Sequence, residues 1–120
     1  MSTIEAFPVI ESSAGDDGWS YVVRVPEDSR FFEGHFAARP VLPAIAQLEL
    51  ITRLYRLAVG ERALLRGIDV LRLLRPVGPG ETLRVSLSRP DDDRRQRFMI
   101  RGADDVVSRG TLTWDVGDER

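Results

Sequence analysis

The 120-residue chain has no cysteine, no lysine and a single histidine, His35. Without cysteine there can be no disulfide, no thiolate nucleophile and no cysteine-ligated metal. Without lysine no side chain can form a Schiff base, and all 17 basic residues are arginine. One histidine excludes a multi-histidine metal centre within a single chain. The formal net charge of -2 gives no case for nucleic acid as a partner. No apolar run approaches the ~20 residues that span a bilayer, so no membrane association is expected. No basic segment followed by an apolar stretch opens the chain, and the expectation is a soluble cytoplasmic protein.

What the chain does have is enough apolar content, 42%, for one core. Residues 1–120 read as a single domain, with 116–120 a frayed tail. Residues 4–11 read as a weak strand, with Pro8 at an edge or bend. Residues 12–18 are a turn by content, and 19–25 a strand rich in aromatic and β-branched side chains. Residues 27–42 show no period and read as a loop. Pro43 suits the first turn of a helix over 43–58, with Gly60 as its stop. Apolar residues occupy most of that helix's circumference, the mark of a helix buried on most sides.

Residues 63–74 read as a strand, although their apolar content alone would also fit a helix. Residues 81–88 alternate cleanly, with Leu83, Val85 and Leu87 on one face and Thr82, Arg84 and Ser86 on the other. Strands over 95–101 and 105–116 complete the set, after a turn at 90–94. The fold class is therefore α+β, an antiparallel sheet wrapped around one long central helix.

Chemistry concentrates at one place. Imidazole is the common side chain that exchanges a proton near neutral pH, and His35 lies in the run Phe31-Phe-Glu-Gly-His-Phe36. Glu49 follows on the helix, where a carboxyl group could make the complementary proton transfer. Plainer readings exist for each residue. His35 could be structural or exposed, Glu49 could pair with Arg53 one turn on, and Phe31, Phe32 and Phe36 could simply pack the loop. The Arg94, Arg95 and Arg97 cluster reads as a solvated turn, or as a surface that attracts an acidic carrier protein or the phosphates of coenzyme A.

The run Phe32-Glu-Gly-His-Phe36, then Pro40-Val-Leu-Pro43, then Gln47-Leu-Glu49 resembles the hot-dog-fold 3-hydroxyacyl-thioester dehydratases of fatty-acid and polyketide synthesis. A second segment, Leu74-Arg-Pro-Val-Gly-Pro-Gly-Glu81, resembles the strand-turn-strand of the same family. Ala44 stands where that family usually has glycine. The compact start is similar to the small dehydratases of secondary-metabolite pathways such as aryl polyene clusters.

The resemblance implies a hydro-lyase without cofactor, acting on an acyl thioester carried by acyl carrier protein or coenzyme A. It implies His35 as the base that takes the C2 proton and Glu49 as the acid at the C3 hydroxyl. It implies the Ala44 backbone N–H at the thioester carbonyl and the Val41 carbonyl accepting from the His35 ring. Phe36 would line the site and Gln47 would sit near its mouth, with a plain surface or hydrogen-bonding role as the simpler reading of Gln47. Apolar neighbours around Glu49 are expected to raise its pKa by desolvation. The resemblance further implies a homodimer, or else a heterodimer or higher oligomer, with base and acid from different subunits. Two rival functions remain at this level: a hot-dog acyl thioesterase, and a catalytically silent partner of an active homologue.

Overall fold

The computed structural model of the chain describes residues 7–27 and 42–115. The alternation read at 81–88 gives strand β4 (Thr82–Ser88), whose Leu83, Val85 and Leu87 are buried while Thr82 and Arg84 are exposed. The same pattern shapes β2 (Gly18–Arg24), β5 (Arg95–Arg101) and β6 (Val106–Asp115). With β1 (Val9–Gly15) and β3 (Leu64–Leu73) they form one six-stranded sheet in the order β1-β2-β4-β5-β6-β3, and every neighbouring pair is antiparallel.

The apolar face of this sheet needs cover, and helix α1 (Ala44–Val59) supplies it. Leu50, Ile51, Leu54 and Tyr55 are buried in the same cluster as Val23, Val85, Ile100, Leu112 and Trp114. Tyr55 packs between two strands, 5.7 Å edge-on to Trp19 of β2 and 4.5 Å from Trp114 of β6. Gly60, at φ 111°, ends the helix, and its N–H reaches the Arg56 carbonyl at 2.8 Å.

The expected strands at 19–25, 63–74, 81–88, 95–101 and 105–116 all form, each within a residue or so of its expected ends. The ambiguous stretch at 63–74 is strand β3, bulged near Gly67 and Asp69. The N-terminal hairpin differs. The turn expected over 12–18 is only Asp16–Asp17, and β1 runs on through Ser12, Ser13 and Ala14 to Gly15. Its serines mislead because β1 is a sheet edge exposed along its whole length, where a polar residue costs nothing. Gly18, at φ 144°, opens β2 so close to β4 that a Cβ there would lie 2.0 Å from the Leu87 carbonyl oxygen.

Candidate active site

Three of the expected site residues, Ala44, Gln47 and Glu49, lie on α1; His35, Phe36 and Val41 lie outside the described residues. Pro43 caps the helix with an extended backbone (φ -66°, ψ 158°) and no side-chain cap. Its carbonyl accepts from the N–H of Ala46 at 3.0 Å and of Gln47 at 3.3 Å. The N–H groups of Ala44 and Ile45 have no partner among the described residues, and no acidic residue occupies the first turn. Among the described residues the helix start thus presents two unmatched donors and a positive end with no acidic residue in its first turn, the kind of place where an oxyanion is stabilised.

Ile45, Glu49, Arg53 and Leu57 follow at intervals of four and form one stripe along the helix. Ile45 is 60% exposed and Leu57 58%, unusual for apolar side chains on a long helix. Glu49 is exposed as well, so the desolvation expected from its apolar neighbours is not supplied by this chain alone. Nor does its carboxylate pair with Arg53 or with any other described residue.

Gln47, read either as near the mouth of the site or as a hydrogen-bonding residue, is buried. Its Oε1 accepts from the Ser108 hydroxyl of β6 at 2.8 Å, pinning the first turns of the helix to the sheet. A hydrogen-bonding role is the simpler reading of this glutamine, but its partner, sixty-one residues away, has no local signal.

The turn between β3 and β4 positions the start of the helix, a role not evident in the sequence. The Val77 carbonyl accepts from the Leu42 N–H at 2.7 Å, just before the Pro43 cap. Arg75 holds that turn rigid. Its guanidinium donates to both oxygens of Glu81 at 2.9 and 3.0 Å, to both of Asp105 at 2.6 and 3.0 Å, and to the Pro76 carbonyl. Glu81 also accepts from the Gly78 N–H at 2.8 Å. Hydrogen bonds from Arg75 hold the Glu81 carboxyl below its ordinary pKa and do the same for Asp105. The signal for this clamp was Arg75 and Glu81 flanking a Pro-Val-Gly-Pro-Gly turn.

At the far sheet edge, β3 exposes Leu64, Ile68, Val70 and Leu73, the last at 52%. A ten-residue edge strand bearing apolar side chains is a template for pairing with another chain. Among the described residues no group of carboxylates or histidine could hold a metal ion, and no helix is long and apolar enough to cross a membrane.

One antiparallel sheet wrapped on one central helix defines a hot-dog protein. Residues 11–111 match the family described as ApeI-like, ApeI dehydratase, and the chain belongs to that family. It is 32% identical over 94 residues to the 3-hydroxyacyl acyl-carrier-protein dehydratase FabZ of Herpetosiphon aurantiacus, covering 72% of this chain and 64% of that one. It is 38% identical over 103 residues to the FabZ of Roseiflexus castenholzii, covering 75% and 70%. The chain thus spans about two thirds of the length of these curated relatives. Among solved structures, the dehydratase heterocomplex ApeI:P from Xenorhabdus doucetiae superposes with a TM-score of 0.82 at 17% identity, covering 90% of this chain and 96% of that one. An uncharacterised protein from Erwinia carotovora gives the same TM-score at 19% identity, covering 92% and 97%. These two likenesses establish the fold.

Proposed function

We propose that the protein interconverts a 3-hydroxyacyl thioester and its trans-2-enoyl thioester by acid–base catalysis, with no cofactor. The carrying observation is the match to a dehydratase family over residues 11–111, a span that contains both His35 and Glu49. His35, neutral, takes the C2 proton. The electron pair left at C2 forms the C2–C3 double bond as the C3–O bond breaks, and Glu49 gives its proton to the departing hydroxyl, which leaves as water. His35 is left holding the C2 proton and Glu49 is left ionised, and proton exchange through solvent resets the pair.

Charge that builds on the thioester oxygen meets the N–H of Ala44 at the positive end of the helix. Alanine keeps the donor that glycine would offer, so the exchange leaves the reaction type intact and its methyl narrows the pocket. The Val41 carbonyl accepts from the His35 ring and fixes its tautomer, and Phe36 lines the acyl path.

The site is shared by two copies of the chain. Exposed Ile45, Leu57, Ile68 and Leu73 support an apolar interface, and a second copy would bury the stripe that carries Glu49 and supply the desolvation a single chain lacks. The thioester arrives on acyl carrier protein or coenzyme A, in the cytoplasm. The test is incubation with a trans-2-enoyl thioester and, separately, a 3-hydroxyacyl thioester, following enoyl absorbance and free thiol together. Interconversion without thiol supports the proposal. Thiol release would make the protein a thioesterase, and a well-folded dimer with neither signal would make it a silent subunit.

A further inference from the structure

Arg75 uses every donor it has. A guanidinium offers five N–H groups in a fixed fork. Here Nε and Nη2 donate to Asp105, Nη1 and Nη2 to Glu81, and Nη1 to the Pro76 carbonyl. The guanidinium lies on the bare face of Gly102, where a Cβ would stand 2.2 Å from Nη2. One side chain thereby ties three segments: the residues just past β3, the residue before β4, and the β5–β6 turn. Asp105 is 49% exposed, and ion pairs in such surroundings add little stability. What a fully engaged fork does fix is geometry.

Two paths lead from this hub to the start of α1. In the first, Glu81 accepts from the Gly78 N–H and so shapes the turn that carries Val77. Val77 is fully buried, and its carbonyl accepts from the Leu42 N–H at 2.7 Å. The planar peptide unit that supplies this N–H also contains the Val41 carbonyl, the group proposed to accept from His35. In the second path, the N–H groups of Leu74 and Arg75 both reach the Val107 carbonyl, at 2.8 and 3.3 Å. The next residue, Ser108, donates to Gln47. Ala44 therefore stands between two anchored points, Leu42 and Gln47, each held by a segment that Arg75 braces.

We propose that Arg75 is a positioning residue for the reaction: through its fork on Glu81 and Asp105 it sets where the Ala44 N–H points at the thioester oxygen. The inference rests on the proposed dehydration and adds to it a residue that touches no substrate. An oxyanion donor must meet the charge where it develops, and a misplacement of about 1 Å can cost about 100-fold in rate. Lysine cannot replace this arginine. An ammonium has three donors and no plane, so it cannot hold two carboxylates and a carbonyl in one fixed fork.

The test compares Arg75→Lys, Gly102→Ala and the two combined on a 3-hydroxyacyl thioester of N-acetylcysteamine, a substrate with neither carrier protein nor phosphate. Gly102→Ala removes no charge. Its methyl displaces the far end of one flexible side chain, so the fold is expected to survive. Each single variant should lose at least ~10-fold in kcat with KM within ~2-fold, because the donor acts on charge that develops in the transition state. The combined variant should lose no more than the worse single one, since both changes act on one fork. Amide resonances of Leu42, Ala44 and Ile45 should move in all three. Arg95→Gln breaks the pairs with Asp91 and Asp93, on the turn whose Arg94 carbonyl accepts from the Trp114 N–H, and should keep kcat within ~2-fold. A fully active Arg75→Lys or Gly102→Ala, losses that multiply in the combined variant, or a loss carried by KM would each overturn the proposal. A parent protein that converts neither thioester would overturn the dehydration and the positioning role together, so the parent's own activity tells the two failures apart.

Discussion

Removing the Gln47–Ser108 hydrogen bond tests whether Gln47 is a structural pin or a substrate contact. Both residues are buried, and the bond is 2.8 Å long. Ser108→Ala leaves the Gln47 oxygen buried and unmatched, which costs about 1–3 kcal/mol. Gln47→Leu leaves the Ser108 hydroxyl in the same position, at a similar cost of about 1–3 kcal/mol. Replacing both removes the two polar groups together, so the double variant should lie within about 1 kcal/mol of the parent, a coupling of about 1–3 kcal/mol. For a domain of this length each kcal/mol moves Tm by about 4 °C, so single variants should melt roughly 4–12 °C lower and the double variant close to the parent. Thermal melts at one fixed protein concentration measure this, because association would itself shift Tm. The activity of the double variant should recover along with its stability. Additive losses would refute the pairing, and a stable but inactive double variant would return Gln47 to the substrate.

Three further outcomes follow from the same structure. Glu81 has its pKa held down by Arg75, so its stabilising contribution is present above its ordinary value of 4.5 and is lost as pH falls through the lowered folded value; Glu81→Gln should reduce Tm at pH 7 and flatten its acid dependence, and an unchanged Tm-against-pH profile would contradict the clamp. A Cβ at Gly110 would lie 2.1 Å from the Val70 carbonyl oxygen and 2.8 Å from Phe98, so Gly110→Ala should force β6 from β3 at a cost above ~3 kcal/mol; a variant that melts like the parent would contradict that close approach. Ile68→Lys/Leu73→Lys, on the exposed edge strand, should sediment as a folded monomer with activity reduced at least ~100-fold, and a fully active monomer would refute a shared site.

Much of this was written in local sequence. Strict alternation in β4, the Pro43 start and Gly60 stop of the helix, and the apolar content of that helix each carry their own signal, because each follows from contacts within a turn or between neighbouring residues. The hairpin is not legible where serines sit on an exposed edge strand, since exposure removes the penalty that makes polarity informative. Burial of Gln47 and the hold of Val77 on Leu42 depend on partners far along the chain, and no local pattern encodes them. Glu49 was legible as a candidate by its spacing from His35. Its exposure was not, because a helix apolar all round does not reveal which side the chain itself covers and which it leaves for another.

The most direct test of a shared acid–base site mixes two inactive proteins. His35→Ala and Glu49→Gln are each expected to lose at least ~100-fold in rate while keeping their melting curves. Unfolded and refolded together in equal amounts, they should form mixed dimers in about half of all pairs, each with one of its two sites intact. Recovery to about one quarter of the wild-type rate on the 3-hydroxyacyl thioester is expected. Mixed dimers that form and remain as inactive as either parent would contradict it.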